Sequence, residues 1–285
     1  MTTIDTNHAG RPALPTYFIS HGGGPWPWMK REMGDTYARL EAALADMPRQ
    51  IGRTPRAILM VSAHWESSAF TVMANPRPPM IYDYGGFPAH TYQVHYDAPG
   101  APDVALRVRD LIAAAGLPVQ VDAERGYDHG TFSPMAAIYP KADVPVLQLS
   151  LRRGLDPAEH LALGRALAPL RHEDVLIVGS GLSYHNLRNF GPQARDVSKA
   201  FDDWLGQAVV NGTAAARNEQ LEAWAQAPAA RIAHPREEHL IPLMVAVGAA
   251  EEEAGVRVYH EADFMGGLSV SSFRFGEAVA QASAQ

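Results

Sequence analysis

Five of the 12 histidines in this chain sit beside strand ends, glycine turns or helix starts, although they are scattered through its whole length. They are His21 in FISHGGGPWPW, His64 in ILMVSAHWES, His129 in RGYDHGTF, His185 in VLIVGSGLSYHN and His239 in HPREEHLIPL. Three of them, His21, His64 and His185, follow apolar, β-branched runs. In an α/β fold such runs are buried parallel strands, and ligands bind beyond their carboxyl ends. Residues far apart in sequence then converge on one crevice, and several neutral imidazoles converging there most economically mean a metal ion. The chain has no cysteine, which excludes disulfides, thiolate zinc sites and a cysteine nucleophile. Any metal takes nitrogen and oxygen ligands.

Each histidine carries a local signal. His21 ends a strand and is followed by three glycines, which let the backbone approach a ligand. GGGP lacks the G-x-G-x-x-G spacing, so it is not a nucleotide loop. His64 follows a run that is apolar on both faces, as in a central strand. Ser62 and Ala63 leave room there, and Trp65 is expected to wall a pocket. His129 lies between Asp128, which either orients an imidazole or caps the turn, and Gly130. His185 follows the strand-to-loop turn Gly179-Ser180-Gly181, and V-G-S-G-L does not fit the G-x-S-x-G nucleophile elbow. That leaves His185 as either a ligand or an acid/base. His239 precedes Pro242, a helix-start residue, so its side chain is expected beside a helix N-terminus. Glu237 and Glu238 are read as favourable charge at that same terminus. His90 and His95 lie in an aromatic loop, His260 ends a late strand, and His8, His160 and His172 are expected in the arm or on the surface.

The elements that must position these residues follow from periodicity. Strand-like runs lie at 16–20, 57–63, 69–74, 118–122, 144–150, 174–179, 256–260 and 268–274. Helical patterns lie at 37–47, 101–116, 158–170, 198–210, 219–227 and about 239–250. Their alternation predicts a single α/β domain over 15–280, with a central mostly parallel or mixed sheet flanked by helices and the site at the strand carboxyl ends. Residues 1–14 read as a loose arm. Residues 76–100, rich in aromatics, Pro and Gly, read as an active-site loop.

Composition narrows the function. The chain has 285 residues and a net charge of -7, without a Lys/Arg run, so nucleic acid is not an expected partner. No apolar stretch reaches membrane-spanning length, and the polar N-terminus is no secretory signal. We expect a cytoplasmic protein, open to homo-oligomer formation.

Taken in order, HGGGP, SAHW, DYGGFP, DHGTF, GSG-x-x-x-HN and EHLIPL resemble the class III extradiol ring-cleavage dioxygenases (LigB-like), in the branch of DOPA-4,5-dioxygenase-like proteins. The resemblance runs from about residue 15 to 275. It implies a non-haem Fe(II), or Zn(II) in some isolated members, with His21, His64 and His239 as ligands. It implies that His185 is a fourth ligand at rest or the base in turnover, and that His129 is a second acid/base or a substrate contact. Better-known members of the wider family complete the metal set with a glutamate, where this chain has His239. The expected substrates are an aromatic diol and O2, with Trp65, Phe87 and Tyr92 stacking on or walling the ring, and the product a semialdehyde. Arg125, Arg152 and Arg188 are candidates for a substrate carboxylate. Two alternatives stand beside this: a zinc hydrolase on the same fold, and a binding protein that has lost the chemistry.

Overall fold

Runs bounded by turn residues become, among the described residues, eight strands of one sheet. The computed structural model describes residues 12–278. The strands are β1 (Thr16–Ser20), β2 (Ala57–Ser67), β3 (Phe70–Met73), β4 (Val119–Asp122), β5 (Val146–Arg152), β6 (Val175–Gly181), β7 (Gly255–Phe264) and β8 (Leu268–Phe275). Their order across the sheet is β4-β3-β5-β2-β6-β1-β8-β7. The central β5, β2, β6 and β1 run parallel, whereas β3 against β5 and the β7–β8 hairpin against β1 are antiparallel. The sheet is therefore mixed around a parallel centre, as the patterning predicts. Every residue of β1 and β6 is buried, which fits strands covered on both faces.

The coverage comes from helices on opposite sides of β6. A Cβ added to Gly179 would lie 2.2 Å from the Pro242 carbonyl oxygen, and one at Gly181 would lie 2.0 Å from that of His239. Ser180, of opposite parity, donates to the carbonyl of Gly130 instead. Alternation along a strand thus puts the segment 239–250 on one face and the helix His129–Ile138 on the other. Only glycine lets the His239 backbone approach β6 so closely. All ten residues of the helix Ile241–Ala250 are buried, so it is apolar all round rather than amphipathic. Each of its larger side chains contributes about 1.5–3 kcal/mol on burial.

Several local details depart from the sequence reading. β2 runs four residues past its expected end, because it bulges: Val61 pairs with Leu149, yet Glu66 pairs with Leu151. The helix His129–Ile138, with Gly, Thr, Ser and Pro among its residues, has poor propensity, and burial of eight of its ten residues overrides it. His160 is buried rather than at the surface: its Nδ1 lies 2.7 Å from the Asp156 carbonyl, and its Nε2 accepts the Arg152 amide. His172 is exposed as expected, and His8 lies outside the described residues. Most of the expected 1–14 arm also lies outside them, but Leu14 is fully buried, with its amide bonded to the Arg171 carbonyl. Among the described residues no helix is long and apolar enough to cross a membrane.

Candidate metal centre

The five histidines meet at the carboxyl ends of β1, β2 and β6. His21 leaves β1, and Gly22 turns the chain there with φ 79°. His64 sits inside the β2 bulge, a device that re-aims a side chain. His129 opens its helix, His185 follows β6, and His239 sits just ahead of the helix Ile241–Ala250. Asp128, weighed as an orienter of imidazole, instead ties the site's scaffold together. It accepts from Ser62 in the bulge, Arg125 and Gln148.

The decisive geometry lies in which ring nitrogens face inward. His64 Nε2 is 3.2 Å from His21 Nε2 and 3.2 Å from His239 Nε2. The opposite nitrogen of each ring has an outer partner. His21 Nδ1 lies 3.1 Å from Ser180 Oγ, whose own proton goes to the Gly130 carbonyl, so the imidazole must be the donor. His64 Nδ1 lies 3.3 Å from Asp83 Oδ2, and His239 Nδ1 lies 3.0 Å from Glu238 Oε1. Carboxylates only accept, so His239 Nδ1 carries the proton, and the Asp83 carboxylate beside His64 Nδ1 favours the same form there. A neutral imidazole has one N–H, so all three Nε2 atoms are bare lone pairs pointing at one another. Charging a ring to break this conflict is unfavourable. Burial, then the neighbouring imidazoles, push His21 well below its usual range, and burial pushes His64 down to about 4 and His239 well below its usual range.

Three facing lone pairs repel unless a cation sits between them. Two nitrogens about 2.1 Å from a shared ion stand about 3.0 Å apart at a right angle and about 3.4 Å apart at the tetrahedral angle. The observed 3.2 Å spacings fit between these values. Charge agrees with this. Asp83 and Glu238 are mostly buried, with side chains 20% and 14% exposed, and a divalent ion offsets two carboxylates. The donor set therefore suits a metal that accepts imidazole nitrogen. Ligand-capable atoms of His21, His64 and His129, and of His185, Glu238 and His239, also lie within 4.8 Å of one another. The 3.2 Å Nε2 contacts single out His21, His64 and His239 from this wider set.

The two remaining imidazoles flank that triad. His129 packs on His64 with ring centroids 3.9 Å apart, and its Nδ1 is 2.9 Å from Asp83 Oδ1. His185 stacks on His239 at 3.4 Å, and its Nδ1 is 3.1 Å from Glu238 Oε1. In both, Nδ1 faces the carboxylate, so Nε2 is the nitrogen left for a ligand or a proton. In Asp83 and Glu238, burial favours the neutral acid, yet their imidazole contacts together outweigh it and hold both carboxyls below the usual range.

A cavity of about 380 Å³ opens over the five rings, walled by Phe87, Phe190, Phe264 and Leu182. Its size and apolar walls suit one small aromatic ligand. Of the expected walls only Phe87 is there. Trp65, next to His64 on β2, lies under the Arg125 guanidinium, 4.2 Å from its ring centre, and does not border the cavity. Tyr92 stands one layer out, packed on Tyr84 with its hydroxyl accepting the Phe87 amide. Tyr84 lines the cavity, but burial pushes its phenol up to about 12, so it is a donor and no base near neutrality. Neither His90 nor His95 borders the cavity. Arg125 and Arg152 pair with Asp128 and Glu159, and Arg188 lies on an outer groove. His260 contacts Ser271 and Asp202. Sequence reasoning missed Asp83, although it stands in the aromatic loop between two tyrosines, and it read Glu238 as helix charge, whereas its carboxylate holds two imidazoles.

Fold and site define an α/β protein with a buried, nitrogen-rich site able to hold a metal ion beneath an aromatic-walled cavity. Comparison with known proteins carries this further. Residues 15–282 match the family described as the catalytic LigB subunit of aromatic ring-opening dioxygenase. The chain is 40% identical to the 4,5-DOPA dioxygenase extradiol of Beta vulgaris, over 91% of this chain and 96% of that protein. It is 34% identical to the Escherichia coli protein of the same name, over 92% and 95%, respectively. The solved structure of the uncharacterized protein JW3007 from Escherichia coli K12 superposes with a TM-score of 0.71 at 29% identity, covering 92% of this chain and 100% of that one. The chain belongs to the LigB family of extradiol dioxygenases.

The buried neutral rings make a prediction for the metal-free protein. His64 and His234 fall to about 4 on folding through burial, and His21 and His239 shift the same way. These are bases with depressed folded values, so the unfolded chain binds more protons between about pH 6.5 and 4. Their contribution is complete above about pH 6.5 and lost as pH falls through that window, by up to about 1.4 kcal/mol per pH unit for each ring. Urea midpoints of chelator-treated protein are expected to fall steadily from pH 7 to pH 4.5. A flat profile contradicts the neutral buried rings.

Proposed function

We propose that this protein opens a catechol ring beside its diol with O2, giving a semialdehyde product, and uses Fe(II) held by His21, His64 and His239. The reading rests on one observation: the Nε2 atoms of His21, His64 and His239 converge beneath a cavity that two further imidazoles also line. Bound iron would accept the diol oxygens and O2 and supply one-electron chemistry that zinc lacks.

The chain's own groups do the rest. The aromatic and aliphatic walls hold the ring and exclude water. His185, its Nδ1 fixed by Glu238, receives a hydroxyl proton at Nε2. The same side chain borders an outer groove shared with Arg188 and Pro235, which gives the proton a route to solvent. His129, fixed by Asp83 on the other flank, takes up the second hydroxyl proton at Nε2 and returns it to oxygen as the ring opens. His185 acts as a base rather than as a fixed ligand, because its ring stacks on His239 and is not part of the close Nε2 triad.

The names of the relatives make DOPA the first catechol to try, followed by caffeate- and protocatechuate-like diols. Anaerobic loading with Fe(II) is expected to give catechol-dependent O2 uptake at one O2 per ring and a new yellow chromophore. Full iron occupancy with no uptake on any catechol of the panel refutes the proposal for that panel.

A further inference from the structure

Two carboxylates are each shared by one inner-triad imidazole and one flanking imidazole. Asp83 accepts from His129 Nδ1 through Oδ1 at 2.9 Å, and its Oδ2 stands 3.3 Å from His64 Nδ1. Glu238 holds His239 and His185 through the same Oε1, at 3.0 and 3.1 Å. The rings held by one carboxylate also pack on each other, His64 with His129 and His185 with His239. The site is therefore built as two matched pairs around His21, which alone relies on a hydroxyl, that of Ser180.

We infer that Asp83 and Glu238 are positioning residues that couple metal binding to proton transfer, each locking one ligand ring and one acid/base ring in the Nδ1–H form. The inference deepens the proposed function and rests on its assignment of the rings. The physical reason is tautomer choice. A ring without an Nδ1 acceptor is free to carry its proton on Nε2, where it neither binds a metal nor accepts a substrate proton. Because one carboxylate serves two rings, its loss damages both functions together. Glu238 is well placed for this, since Arg236, 3.5 Å from its other oxygen, leaves Oε1 to the imidazoles. Asp83 also accepts the His129 amide, so it fixes the start of that helix as well.

The experiment compares Glu238→Met, which fills the space without an acceptor, with Glu238→Gln, which keeps a carbonyl oxygen. Long-range 1H–15N spectra of the metal-free proteins read the tautomers directly. Zn(II) competition against a chromophoric chelator reads affinity, and thermal melts confirm folding. In the parent protein we expect Nδ1–H forms at His64, His129, His185 and His239. In Glu238→Met, His185 and His239 shift toward Nε2–H while His64 and His129 do not, and Zn(II) binding weakens about 10–100-fold. Glu238→Gln recovers most of both. Asp83→Leu, which likewise fills the space without an acceptor, serves as the reciprocal control, altering only His64 and His129. Unchanged tautomers at His185 and His239, or equal losses in the Met and Gln variants, overturn the inference. These readouts need neither catechol nor O2, so a failure of the proposed reaction leaves them decisive, and their failure leaves the reaction untouched.

Discussion

His64→Ala is expected to abolish metal retention and O2 uptake together. His64 is the middle ring of the triad, with Nε2 3.2 Å from each neighbour, so its removal leaves two ligands that no longer share a third. The loss of affinity is expected to exceed the about 10–100-fold that follows from removing an outer partner of a ligand. The fold is expected to survive, because the β2 bulge is held by its backbone pairing and by the Ser62–Asp128 bond, not by the imidazole. The checks are metal content after dialysis, O2 consumption with a catechol, and a far-UV spectrum. Retention of stoichiometric iron in folded His64→Ala refutes the triad.

His185→Ala is expected to separate what His64→Ala removes at once. Iron is retained, while turnover at saturating iron and catechol falls about 10²–10⁴-fold, the range for loss of a general acid–base group. The reason is geometric: His185 sits against His239 and Glu238, at the border between cavity and outer groove, rather than in the close contacts of the triad. The decisive comparison is kcat against bound iron. Loss of the metal in parallel with activity makes His185 a ligand, and undiminished turnover removes its role as base.

Much of the site was legible before any coordinates. The runs ending near Ser20, Ala63 and Gly179 are too apolar and too short to be anything but buried strands, and parallel strands bring their carboxyl ends together. His21, His64 and His185 were therefore bound to meet once those strands were neighbours. What periodicity cannot encode is the non-local register. The β2 bulge depends on pairing with β5 about 85 residues further on, and it turns His64 inward and Trp65 away from the cavity. The helix at His129 has a sequence that disfavours helices, and only its burial makes it one.

The sequence alone determined the donor set: no thiolate, five histidines at element ends, and an aromatic loop able to cover them. Residue types and local periodicity are properties of short segments, so they survive without the fold. The tertiary structure alone decided which nitrogen of each ring faces the cavity. That choice belongs to Asp83, Ser180 and Glu238, and for His21, His64 and His185 the partner lies from 19 to 159 residues away. A proton's place on an imidazole is set by what the other nitrogen touches, and only folding brings those groups into contact.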